Sequence, residues 1–120
     1  MKPSSRRIKG HAYEREVAQK FRDAGYMSCV TSRSESKRTD DMGVDLCYTG
    51  SWQVQCKNQE RIAPSPHDIL ASMPKNGKKN ILFHKRNRKG TIVCMDEETF
   101  LELLTKFKET AVDCGPPTLL

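Results

Sequence analysis

The stretch "GVDLCYTGSWQVQCKNQ", residues 43–59, constrains the architecture more than any other part of the chain. Two short runs of alternating character flank Thr49, Gly50 and Ser51, which predicts a β-hairpin. Successive side chains of a strand point to opposite faces. On the second run, Trp52, Val54 and Cys56 therefore share one face and Gln53, Gln55 and Lys57 the other. On the first run, Val44, Leu46 and Tyr48 alternate with Asp45 and Cys47. A three-residue loop sets Tyr48 against Trp52, Leu46 against Val54 and Asp45 opposite Gln55. A two-residue loop sets Asp45 across from Val54 and mixes the faces. The hydrophobic pattern selects the three-residue register. It gathers Asp45, Gln55 and Lys57 into a polar cluster within a hairpin otherwise built for burial.

Upstream, Tyr13, Val17, Phe21 and Ala24 recur at spacings of three and four, the apolar stripe of an amphipathic helix over residues 10–24 that ends at Gly25. Glu14 precedes Val17, Ala18 and Phe21 by three, four and seven residues, so it belongs to the sheet-facing side. Glu16 precedes Lys20 by four, the spacing of a solvent-side ion pair. Residues 1–9, "MKPSSRRIK", offer Lys2, Arg6, Arg7 and Lys9 and little to bury. They read as a flexible basic arm, either a nucleic-acid contact or a solubilising tail. "YMSCVTSR" (26–33) reads as a strand and "SESKRTDDMG" (34–43) as a polar loop.

Downstream, two prolines in "RIAPSPHD" break the pattern before a short helix from about Ser65 to Met73, capped by Ser65 or Asp68. "NILFH" and "GTIVCM" are strands around the basic turn "KRNRKG". Asp96 is placed to cap a last helix whose apolar face is Phe100, Leu103, Leu104 and Phe107. The order αβββαββα predicts one α/β domain over residues 10–110, with a mixed five-stranded sheet flanked by helices, and an irregular tail over 111–120.

Bulk composition narrows the function classes. At 120 residues and 36% hydrophobic content the chain suits a single core. It has no apolar run near the roughly 20 residues that cross a bilayer and no signal-peptide segment, so a soluble cytoplasmic protein without a membrane partner is expected. Five cysteines, an odd number with no C-x-x-C pair, argue against a disulfide framework or a thiolate zinc site. The charge of +6, from 21 basic and 15 acidic residues, favours a polyanionic partner such as nucleic acid.

The polar cluster has a chemical logic. Asp45 and the Gln55 amide oxygen are oxygen donors of the kind a hard cation such as Mg²⁺ prefers, with the Glu14 carboxylate of the helix nearby. A metal there polarises a phosphodiester and activates water, while Lys57 orients that water or offsets charge growing on the phosphorane. A hairpin whose polar face simply meets solvent has the same spacing, so spacing alone leaves both readings open. Arg33, Lys37 and Arg38, and "HKRNRK" at 84–89, are either phosphate contacts or solvated surface. Asp40 and Asp41 read as turn formers and stay outside the site. His11, His67 and His84 have no spacing that suggests zinc or a catalytic triad, and Trp52 is assigned to the core or a dimer interface.

The D-x9-Q-x-K pattern of Asp45, Gln55 and Lys57 resembles the signature of the PD-(D/E)XK nuclease superfamily. More specifically, "KGHAYERE" (9–16), followed by Gly25 and "SRSES" (32–36), resembles archaeal-type Holliday junction resolvases over about residues 9–60. The resemblance implies a restriction-endonuclease-like core and a Mg²⁺-dependent homodimer, with Mn²⁺ as a substitute metal, that cuts four-way DNA junctions in recombination and repair. It implies Glu14, Asp45, Gln55 and Lys57 as the catalytic set, with Glu14, Asp45 and Gln55 on the metal. Arg15, Arg33, Ser34, Ser36, Lys37 and Arg38 are implied at the DNA. Gln55 stands where such resolvases carry Glu, a feature similar to type IV restriction endonucleases and VRR-type nucleases. The loop from Ser36 to Asp45 is also longer than in archaeal enzymes. Other duplex or flap DNA, or DNA binding without hydrolysis, are therefore the alternative expectations.

Overall fold

The computed structural model describes residues 3–61 and 64–108. In chain order the elements are α1 (Pro3–Asp23), β1 (Val30–Thr31), α2 (Ser32–Glu35), α3 (Lys37–Asp41), β2 (Leu46–Cys47), β3 (Trp52–Asn58), α4 (Pro66–Ser72), β4 (Lys79–Arg86), β5 (Gly90–Cys94) and α5 (Glu97–Lys106). The expected elements are present in order, with three differences before β2. The strand expected over 26–33 shrinks to two residues, and the polar loop after it forms the short helices α2 and α3. Residues 3–9, expected as an arm, continue α1 instead, with Pro3 at the helix start, where its missing N–H costs nothing. The expected tail over 111–120 lies outside the described residues.

The sheet is α/β and mixed, but it is not one sheet of five strands. β3, β4 and β5 form a three-stranded sheet, with β3 parallel to β4 and β4 antiparallel to β5, while β1 and β2 form a separate antiparallel pair. The two sheets meet at Asp45, whose N–H donates to the Val54 carbonyl at 2.7 Å. Three features stop this ladder from spreading. The Asp45 carbonyl accepts from Ser32 N–H on the β1 side at 2.7 Å. The Asp45 carboxylate takes the Cys56 N–H at 2.7 Å, the donor the next ladder bond needs. Tyr48 sits in the left-handed region at φ 62°, which turns the chain early. The strand contact therefore joins Asp45 to Val54, not Leu46 to Val54 as the apolar parity suggested.

The parity of β3 itself holds. Val54 and Cys56, with half-buried Trp52, pack against Tyr13, Val17, Ala18 and Phe21 of α1, and Cys29, Leu46 and Ile81 complete that core. Leu82 alternates to the other face, where Ile69 of α4 and Met73 just after it are buried. On that face Gln53 donates to the Pro74 carbonyl at 2.9 Å and accepts from Asn76 at 2.9 Å, tying β3 to the segment after α4. The two expected caps are present: Ser65 accepts from Asp68 N–H at 3.2 Å, and Asp96 from Thr99 N–H at 2.8 Å. Each typically stabilises its helix by about 1 kcal/mol.

The last helix departs from its expected packing. Thr99 is buried and Leu103 partly so, but Phe100, Leu101, Leu104 and Phe107 are half-exposed or more, Phe107 to 76%. The helix is tied down by the Glu102–Lys79 pair at 2.9 Å, with the Lys79 ammonium also over the Trp52 ring. No helix among the described residues is long and apolar enough to cross a membrane.

Candidate functional site

Asp45 is the chemically distinctive residue of the fold. It is only 8% exposed, because β1, β2 and β3 close around it. Burial pushes its carboxyl up to about 7. The Cys56 N–H opposes that shift, the charges of Glu14 and Asp40 reinforce it, and Lys57 opposes it. A buried acid with two further carboxylates acting on it and one lysine as the opposing side-chain charge is a site short of positive charge. Asp40, set aside in the sequence as a turn former, belongs to this electrostatic environment through α3.

Glu14 reaches the site from α1, its side chain 13% exposed and paired with the Arg33 guanidinium. Gln55 lies on the β3 face expected for it, and its amide oxygen comes 3.5 Å from where a Cβ on Gly43 would stand. Gly43 has φ 81°, a conformation glycine adopts without strain, and it begins the turn into β2 beside Gln55. Lys57 continues the same face of β3 and pairs in register with His84 of β4. The buried His84 ring bonds the Gln59 carbonyl at 2.7 Å and so holds the chain just past Lys57. No spacing in the sequence singles out this histidine. Cys56, beside Asp45, has its thiol pushed up by burial and then by Asp45 and Glu14, which keeps it protonated and inert.

Of the residues implied at the DNA, Arg15 lies on α1 and Arg33, Ser34, Ser36, Lys37 and Arg38 lie along α2 and α3. Arg33 is committed to Glu14. Ser36 is the cap of α3, accepting from Thr39 N–H at 3.2 Å, and Ser34 donates to the Thr31 carbonyl at 2.9 Å. Lys37 pairs with Asp41 one helical turn on, at 3.1 Å. Arg15 and Arg38 are exposed.

Glu14 and Lys57 line a common cavity of about 580 Å³. Its other walls come from Arg6, Lys9 and Gly10 of α1, from Cys56 and Asn58 of β3, from Gln59, Glu60 and Arg61 after it, and from Asn87 in the β4–β5 turn. Lys9 closes across to Asn87 with a 3.3 Å hydrogen bond. Sequence reading missed this wall because it began the helix at Gly10. Allowing the helix to start earlier puts Arg6, Gly10 and Glu14, spaced by four, on one face. A larger cavity of about 810 Å³ opens between α4, the start of β4 and α5, but none of Glu14, Asp45, Gln55 or Lys57 lines it.

Among the described residues no three His, Cys, Asp or Glu side chains are grouped to hold a metal ion. Asp45 and Glu14 offer carboxylates and Gln55 an amide oxygen, the donor types of a cation that keeps several waters, but the Gln55 oxygen lies beside Gly43, the Asp45 carboxylate takes the Cys56 N–H and Glu14 is engaged by Arg33. Compared with known proteins, the chain matches no family model, no curated protein and no solved structure.

Proposed function

We propose that this protein is a Mg²⁺-dependent DNA endonuclease selective for four-way junctions, acting as a homodimer. The observation that carries this reading is the buried Asp45 carboxylate, acted on by Glu14 and Lys57, next to a basic cavity shared by those last two residues. Asp45, Glu14 and Gln55 would hold the metal, which supplies Lewis-acid polarisation of the phosphodiester and a more acidic water. Lys57, exposed to the cavity, would orient that water or stabilise the charge growing on phosphorus.

The deciding experiment is incubation of a four-way junction and a linear duplex of the same sequence with protein and Mg²⁺. Paired nicks in the junction alone are expected. Equal cutting of both keeps the nuclease and removes junction selectivity. An intact junction to which the protein nevertheless binds leaves a DNA-binding module. Two observations favour that second reading: the neutral Gln55 in the donor set, and Arg33 occupying Glu14. Gln55→Glu separates the two, since an operating metal site should bind Mg²⁺ more tightly and keep cutting, whereas a module without hydrolysis stays inactive.

Paired nicks call for two sites on a two-fold axis, and α5 offers a surface for a second copy. Its exposed residues Phe100, Leu101, Leu104 and Phe107 lie on one stripe, with Asp96, Glu97 and Glu98 at one end and Lys106 and Lys108 at the other. Two such helices packed antiparallel bring unlike charges together at both ends and cover the stripe. Light scattering of the full chain should give twice 13.7 kDa, and Leu104→Glu should give a folded monomer. A wild-type monomer at tens of micromolar would remove α5 as the dimer surface.

A further inference from the structure

Resting on the nuclease reading, we infer that the cavity beside Lys57 holds the phosphodiester backbone of one DNA strand, and that the N-terminal turns of α1 are its clamp. Three features point there. First, the walls carry Arg6, Lys9, Lys57 and Arg61 against Glu14 and Glu60. Both acids are already engaged, Glu14 by Arg33, and Glu60 by Arg86 and the Asn87 N–H at 2.7 Å. None of the four cations is in an ion pair among the described residues. Second, α1 begins without an acid in its first turn, and Arg6 and Arg7 follow close behind. Cations at the positive end of a helix dipole are unfavourable unless an anion lies against them. Third, Gly10 occupies the middle of the helix, where glycine costs about 1 kcal/mol relative to alanine. A Cβ there would meet nothing within 4 Å, so no neighbouring protein atom explains the glycine. Its bare backbone lines the cavity between Arg6 and Glu14, leaving room for a ligand to approach closely.

The strand would then run past Lys57 with its phosphates on Arg6, Lys9 and Arg61. Much of the backbone contact shifts from the α2–α3 surface, where Arg33, Ser34, Ser36 and Lys37 already have protein partners, to the cavity wall formed by α1 and the end of β3.

The test is binding of the full-length protein to a fluorescent four-way junction, over a range of salt and with chelator present, followed by cleavage with Mg²⁺. Arg6→Ala with Lys9→Ala should weaken binding at least about tenfold and lower the salt slope by about 2, one unit for each phosphate that the variant leaves unneutralised. Lys75→Ala with Lys78→Ala, which removes the same charge from the loop before β4, should change affinity less than threefold. Gly10→Leu should keep or raise the melting temperature, because a better helix former enters open space, yet abolish binding and cutting by filling the cavity. Wild-type binding that the Arg6/Lys9 pair weakens no more than the Lys75/Lys78 pair overturns the clamp and leaves the nuclease reading intact. So does a Gly10→Leu variant as active as the wild type. Absence of wild-type binding overturns both.

Discussion

Lys57→Ala should bind a four-way junction within about threefold of the wild type and cut it on the order of 10²–10³ times more slowly. The asymmetry comes from position. Lys57 is one cation of several in its cavity, so its removal costs the complex a single phosphate interaction. It is also the lysine whose charge reaches the Asp45 carboxylate, and β3 together with the His84 bond to Gln59 fixes where it stands. Pre-set charge beside a reacting phosphate is what a cleavage rate reads and an equilibrium affinity largely does not. Single-turnover cleavage set against anisotropy on the same junction separates the two. Cutting by the variant within tenfold of wild type would take Lys57 out of the reaction.

Asp45→Asn should abolish cutting and, with metal chelated, stabilise the fold above neutral pH. The Asp45 carboxyl titrates near 7 in the fold, chiefly through burial, against an ordinary 3.8. An acid with a raised value binds its proton more tightly folded than unfolded. The stability linked to that proton is fully present below about pH 4 and is lost as pH rises through 7. At about 1.4 kcal/mol for each pH unit, the loss is on the order of 4 kcal/mol. Asparagine is never charged, and its oxygen can still accept the Cys56 N–H, so the variant escapes that loss. Melting in chelator at pH 4.5, 6 and 8 should show the two proteins close at the lowest pH and the variant higher by about 10 °C or more at pH 8. Mg²⁺ should then raise the wild type at pH 8 and leave the variant unmoved. A variant that melts below the wild type at pH 8 would show that Asp45 is not held in the environment described.

The second half of the chain and the faces of β3 were legible because burial imposes a clean period. Val54 and Cys56 against Gln55 and Lys57, the Ser65 and Asp96 caps, and the β4–β5 hairpin all follow from local pattern. The register at Asp45 was not legible, because parity counts side chains while the contact was settled by a carboxylate taking a backbone donor and by Tyr48 bending the chain. The short helices α2 and α3 have too few apolar positions to show a period. The start of α1 was missed because its first turns bury almost nothing, and the same gap hid the cavity wall formed by Arg6, Lys9 and Gly10. The face of α5 was readable, but a stripe of Phe and Leu says only that it is covered, and among the described residues most of it is not.

The joint at Asp45 has a mechanical consequence. A continuous sheet spreads its cohesion along a ladder, and no single bond matters much. Here the two sheets are riveted through one residue: its N–H to Val54, its carbonyl to Ser32 and its carboxylate to Cys56. Each such bond has a net worth of about 1 kcal/mol, and parting the seam also uncovers Leu46 and Cys29 of the shared core, so it costs more than the bonds alone and less than unfolding the whole domain. Amide exchange at Asp45 and Cys56 should therefore outpace exchange at Leu82 and Phe83 in β4. Asp45, which holds the seam shut, is also the acid the proposed chemistry needs, so recruiting its carboxylate for a ligand would loosen the rivet and let the α2–α3 segment swing as the substrate arrives.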